Sequence, residues 1–290
     1  ASAFYAQKLA AGRNTELWRT RLAMVSLPLG WTCLQSGDLP AARAVFTRAQ
    51  TLYVKLQRES TGAKGRVFRY LSAEVSRLLA ETENHAADFD AALAAIHDSA
   101  RGYEILTTEL PSVPIMKANL GESYLMLGRV LRAQGDVEAA LAALEKSRQI
   151  LMPLHQADPS HSSLLTLLAL EQLEFARIER QRGDVDAARR AFAMADSLTK
   201  GVTIESLLIA QDARAQTLLE LGRPEDARPI VEYLVAFGWQ DDLTHRDFAT
   251  LAAPRSGPAH LLTPLGKSSQ QRPSSPMRPP SAAAAASSPQ

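Results

Sequence analysis

Apolar and small residues recur through most of this chain at i, i+3, i+4 and i+7, the spacing that puts them on one face of an α-helix. Before residue 135 that face is made of Tyr124, Leu127, Gly128 and Leu131. The pattern stops at a Gly–Asp pair and at once resumes in a second helical pattern. The two-part unit then repeats. LGWTCLQSGD at 29–38 matches LGRVLRAQGD at 127–136, FARIERQRGD at 175–184 and, less closely, LAETENHAAD at 79–88. Each runs without a gap into LPAARAVFTRA, VEAALAALEKS, VDAARRAFAMA and FDAALAAIHDS respectively. A shortened fifth copy reads RAQTLLELGR and then PEDARPIVEYL, up to residue 234. The breaks fall at Gly37, Ala87, Gly135, Gly183 and Gly222, at spacings of 50, 48, 48 and 39 residues. A fixed period of this size marks a stack of like units.

The residue types at each break predict a helical hairpin. Glycine takes the left-handed conformation that ends a helix, and the aspartate after it caps the next one. Pro40 and Pro224 fall in the first turn of their helices, where a missing N–H costs nothing. Gly30, Ala80, Gly128, Ala176 and Ala215 form a column of small residues in the first helices, expected to allow close approach. Ala42, Ala92, Ala140, Ala188 and Ala227 form a second such column. Phe46, Ile96, Leu144, Phe192 and Val231 follow four residues later and are expected to fill the space between hairpins.

These columns resemble the tetratricopeptide (TPR) motif, with its small residue, Gly–Asp turn, alanine and bulky apolar residue in that order. Its usual proline is matched approximately by Pro153. The period exceeds the ~34 residues usual for that repeat, and Trp18, Phe68, Met116 and Leu164 predict first helices extended by a turn or more. The resemblance implies an all-α, right-handed superhelical solenoid of about five hairpins. Segments such as LRAQGDVEAALAALEKSRQILMPLHQADPSHSSLL, and the ending FGWQDDLTHRDFATLA, are similar to the C-terminal arrays of some bacterial serine/threonine protein kinases. No kinase signature occurs in the chain itself. Three domains are expected: residues 1–14 as the remnant of a preceding repeat, 15–252 as the array, and 253–290 as a low-complexity tail. The tail, rich in Pro, Ser and Ala, is expected to be disordered, because it has too little apolar surface to offset the entropy of ordering.

Charge narrows the possible partners. With 32 basic and 31 acidic side chains in 290 residues the net charge is +1, which gives no general attraction to nucleic acid. No apolar run reaches the ~20 residues that span a bilayer. Cys33 is the one cysteine, excluding an internal disulfide and fitting a reducing compartment such as the cytoplasm. The chain opens on Ala1 with no export signal, and is expected to begin inside a longer protein.

Catalytic and metal chemistry find little support. His155, Asp158 and His161 lie in one inter-repeat loop, HQADPSH, where a proline break and a Ser or Asp cap account for the residue types. Cys33 sits on a core column and is read as a small hydrophobe. No cofactor or metal is expected. A hydrolase or transferase in an unfamiliar helical fold would instead show a cluster of perturbed ionisable groups in a concave pocket.

The resemblance also implies a concave groove lined by the first helices. The groove-facing positions are Met24, Leu27, Trp31 and Leu34, then Glu74, Arg77, Glu81 and Asn84. The third and fourth units give Glu122, Leu125, Arg129, Arg132 and Leu170, Leu173, Arg177, Arg180. The asparagine by which such clamps hold a terminal carboxylate is absent from Trp31, Glu81, Arg129 and Arg177. Binding of a protein or peptide is expected through Trp31, Leu27, Arg77, Leu125, Arg129, Arg132, Leu173, Arg177 and Arg180. Paired arginines beside an apolar strip point to an acidic partner. The alternative is that Glu122, Glu174 and their neighbours already neutralise the arginines.

Overall fold

The computed structural model describes residues 2–12, 15–203, 206–236 and 238. The chain divides into two units, Ala1–Ala253 and Pro254–Gln290, and the second lies wholly outside the described residues, as does the tail expected to be disordered. Eleven helices, and no strand, occur among the described residues. A short α1 (Ser2–Ala10) precedes five hairpins: α2 (Thr15–Gln35) with α3 (Leu39–Arg58), α4 (Gly62–His85) with α5 (Phe89–Glu109), α6 (Pro114–Gln134) with α7 (Val137–Ala157), α8 (Ser162–Gln181) with α9 (Val185–Thr199), and α10 (Leu208–Glu220) with α11 (Pro224–Ala236). This is an all-α repeat solenoid. The first helices of the first four hairpins have 20 to 24 residues, which accounts for the long period.

Each turn closes by one hydrogen-bond pattern. Gly37, Ala87, Gly135, Gly183 and Gly222 have φ of +73°, +57°, +98°, +85° and +68°. The next residue reaches back five positions to close the ending helix: Asp38 to Cys33, Asp88 to Glu83, Asp136 to Leu131, Asp184 to Glu179 and Arg223 to Leu218. The four aspartates act twice, because each carboxylate also accepts the third backbone N–H of the next helix, from Ala41, Ala91, Ala139 and Ala187. The inter-repeat loop departs from expectation. His161, not a serine or aspartate, is the N-cap of α8 and gives no side-chain cap, while Asp158 accepts from Ser160. Pro153 lies inside α7, which continues to Ala157.

Within a hairpin the small column serves the bulky one. A Cβ on Gly30 would collide with the Phe46 ring, and one on Gly128 would come within 2.7 Å of Leu144. The room expected for a neighbouring backbone is taken mainly by these side chains. Ala42, Ala92, Ala140, Ala188 and Ala227 are all buried, as are Phe46, Ile96, Leu144, Phe192 and Val231. Each of those larger side chains is worth about 1.5–3 kcal/mol when taken out of water. Neighbouring hairpins are joined by Tyr53 against Phe68 and by the Ser99–Ser123 hydroxyl pair at 3.0 Å, while within the third hairpin Ser147 donates to the Gly121 carbonyl. Cys33 is half-buried and packs against the first core cluster. Trp31 of α2 packs both on that cluster and on the fifth hairpin's cluster of Ala215, Leu218 and Val231. The array thus curls until its first hairpin meets its last.

Gly30→Ala and Ala140→Leu are each expected to destabilise the fold by about 1–3 kcal/mol through overpacking. Ala87→Gly should stabilise it by about 1 kcal/mol, because alanine pays a steric cost in the left-handed region that glycine does not. Denaturant titrations of the three variants measure both effects.

Candidate functional site: a charged channel between the first helices

The first helices face one another across a narrow interior channel. Trp31 of α2, Arg77 and Glu81 of α4, Glu122, Leu125 and Arg129 of α6, Leu170 of α8, and Ile209 and Asp212 of α10 all line it. The cavity among them is about 70 Å³, enough for a few water molecules.

One carboxylate organises the far side of this channel. Glu174 is fully buried on α8, with Arg132 Nε at 2.6 Å, Arg177 Nη1 at 2.9 Å and Arg129 Nε at 3.4 Å. Burial alone would raise its pKa, but the three guanidinium groups more than offset that and hold it at about 2. Arg177 continues to Gln216 and Glu220 of α10, and Glu220 also takes Arg180. On the near side the ratio is reversed. Arg77 is shared by Glu74 at 2.6 Å, Glu122 at 3.2 Å and Glu81 at 3.8 Å, and Tyr103 donates to Glu74 at 3.0 Å. Burial raises the Glu122 carboxyl above its usual range although Arg77 opposes it. Glu74 stays below its usual range because Arg77 and Tyr103 outweigh its burial.

The predicted residues therefore divide. Arg77, Arg129, Arg132, Arg177 and Arg180 do converge, but on carboxylates of their own chain. Arg177 is buried, and Arg180 alone among them is largely exposed, at 54% of its side-chain surface. The apolar strip expected beside them is closed: Leu125 and Leu173 are core residues with 4% and 0% exposure, and Leu27 is half-buried against the first core cluster. Curling of the array brings the first helices together and removes the open face. Glu220 and Gln216 do not stand out in the sequence, since the shortened fifth unit hides their register. The three-residue spacing of Glu74 to Arg77 and of Glu174 to Arg177 was a visible sign of pairing.

A cluster of perturbed ionisable groups would be the mark of a hidden enzyme. Here the groups neutralise one another, and a structural ion-pair network accounts for their shifts. Among the described residues no group of three or more His, Cys, Asp or Glu is arranged to hold a metal ion, His155 and His161 included. No described helix is long and apolar enough to cross a membrane.

A family model described as tetratricopeptide repeat matches residues 23–48, 121–146 and 209–232, that is, the turns of the first, third and fifth hairpins. The chain carries tetratricopeptide repeats. Three solved structures are similar to it. A thermophilic TPR protein of Thermus thermophilus is 20% identical over 79% of this chain and 98% of its own, with a TM-score of 0.39. BtubC of P. vanneervenii is 15% identical over 92% and 95%, with a TM-score of 0.48. An assembly chaperone of RpL4 is 18% identical over 79% and 93%, with a TM-score of 0.26. No curated protein matches the sequence.

Glu174→Gln should cost about 3–5 kcal/mol, because three guanidinium groups lose their shared buried anion. Its folded pKa of about 2 lies below the ordinary 4.5, so its stabilisation is complete above 4.5 and is lost as pH falls towards 2. Glu171 behaves oppositely. It is fully buried beside Arg148, and burial pushes its pKa up to about 7. Its contribution is complete below 4.5 and is lost as pH rises through 7. Melting curves across about pH 2–8 should show both flanks, and Glu171→Gln should remove only the upper one.

Proposed function

We propose that this tetratricopeptide-repeat array is a protein-binding scaffold whose partner presents an acidic segment to a basic rim at Arg180. Tetratricopeptide repeats generally mediate protein–protein interaction, and the fold is typically a non-catalytic scaffold; long stacked helices offer an extended surface for such contacts. One observation supports the acidic partner: four arginines, Arg129, Arg132, Arg177 and Arg180, gather around the two carboxylates Glu174 and Glu220. Arg180 stands at the exposed edge of this group, stacked over the Phe192 ring at 5.6 Å. A carboxylate arriving there meets a guanidinium already held in place, which lowers the entropy cost of pairing. The buried members fix the geometry, and the exposed member meets the ligand.

A narrower reading, that the array is the docking region of a bacterial serine/threonine kinase, draws on the resemblance of residues 131–165 to such arrays. A kinase catalytic domain encoded upstream of this segment would favour it, and an unrelated domain there would exclude it.

The variant that tests the acidic partner is Arg180→Glu. Reversal of Arg129 or Arg177 would break contacts to the buried Glu174 and confound binding with folding. For a partner isolated by affinity capture from the native organism, Arg180→Glu should weaken binding by about tenfold. Wild-type binding should also fall as salt is added. Binding that is unchanged by both would rule out the basic rim.

A further inference from the structure

The outer surface carries a second feature that the channel does not explain. The second helices α7 and α9 of adjacent hairpins form the walls of a groove whose floor is α8, and the void between them is about 560 Å³. Three helical stripes line it. Arg148, Met152 and His155 come from α7, Leu168, Gln172 and Phe175 from α8, and Ala187, Ala191, Met194 and Leu198 from α9. The groove stays open because α9 turns two alanines towards it where larger side chains would have filled the space.

The lining is mainly apolar and includes two arginines. Met152, Phe175, Met194 and Leu198 supply soft, adaptable surface of the kind that receives varied apolar side chains. Met194 is 53% exposed. Arg148 and Arg190 stand on opposite walls, and no carboxylate is among the lining residues. Arg148 is held by Glu171 at 2.9 Å and Glu145 at 3.7 Å and lies over the Phe175 ring at 5.8 Å. Arg190 is exposed and forms no ion pair among the described residues.

We propose that this groove docks an amphipathic helix of a partner protein, with its apolar stripe on Met152, Phe175 and Met194 and its flanking carboxylates on Arg148 and Arg190. A groove between two helices and above a third has the cross-section of a missing helix, and helix-in-groove recognition uses apolar residues at i, i+4 and i+7. The stripe from Ala187 to Leu198 would accommodate a helix of about twelve residues, or roughly 18 Å. The charge pattern selects the acidic helix, because a basic one would place a like charge against the exposed Arg190, which no carboxylate of the described residues pairs, whereas Arg148 is already shared with Glu171 and Glu145. This surface is separate from the rim at Arg180, and neither proposal depends on the other.

The test uses the full chain with methyl-labelled methionine and two peptides of about twelve residues. Both carry one Leu/Met stripe. One is flanked by glutamates and the other, its twin, by lysines. The glutamate peptide should bind and shift the Met152 and Met194 methyl signals while leaving Met24, exposed on α2, unchanged. Arg190→Glu and Met194→Glu, both at exposed positions, should each weaken it by about tenfold, as should exchange for the lysine twin. Absence of binding, equal binding of the twins, or shifts at Met24 instead would overturn the proposal. So would a chain that is dimeric alone and made monomeric by Met194→Glu, because the groove would then be an interface between copies.

Discussion

Everything in this molecule depends on how closely the two helices of each hairpin approach. That approach is set by one contact, a small residue in the first helix under a bulky apolar residue in the second. Gly30 beneath Phe46 and Gly128 beneath Leu144 leave no room even for a methyl group. With the hairpins this tight, each exposes an apolar face that only another hairpin can cover, so the units must stack. Tyr53 on Phe68 and Ser99 on Ser123 are consequences of that stacking.

Stacking of long helices then determines what happens to charge. The array curls until Trp31 of the first hairpin touches the cluster around Leu218 of the fifth. Charged residues on the first helices are thereby taken out of bulk water. An isolated buried arginine would be costly, so each is matched from a neighbouring helix: Arg132 by Glu174, Arg177 by Glu220, Arg77 by Glu122. The ladder ties consecutive repeats together and leaves Arg180 as its exposed end. The channel that sequence periodicity marks as a binding groove is here an internal strut with Arg180 at its exposed edge.

The hairpins were legible because their signals are local. A Gly–Asp pair specifies a turn by its own backbone chemistry, and Asp38, Asp88, Asp136 and Asp184 form the caps their positions imply. Ala87 shows how little the pattern tolerates, since an alanine there still adopts φ of +57°. The site was legible only in part. That Arg129, Arg132, Arg177 and Arg180 share a face follows from helical periodicity. That Leu125 and Leu173 on the same face are buried does not follow, because burial depends on how far five hairpins curl. Glu220 was hidden for a related reason, as the irregular fifth unit obscures which residue stands opposite Arg177. The α7–α9 groove results from two alanines, Ala187 and Ala191, whose effect appears only once three helices are in place.

The inner arginines are committed to carboxylates of the same chain, with Glu174 as their hub. The ionisation of that one side chain is the most direct test. In the intact protein labelled at glutamate carboxyl carbons, with Glu174→Gln used for assignment, an acid titration followed by NMR should show Glu174 ionised down to about pH 2. Titration near the ordinary value of 4.5 would show a solvated carboxylate and leave the arginines unclaimed, contradicting the account.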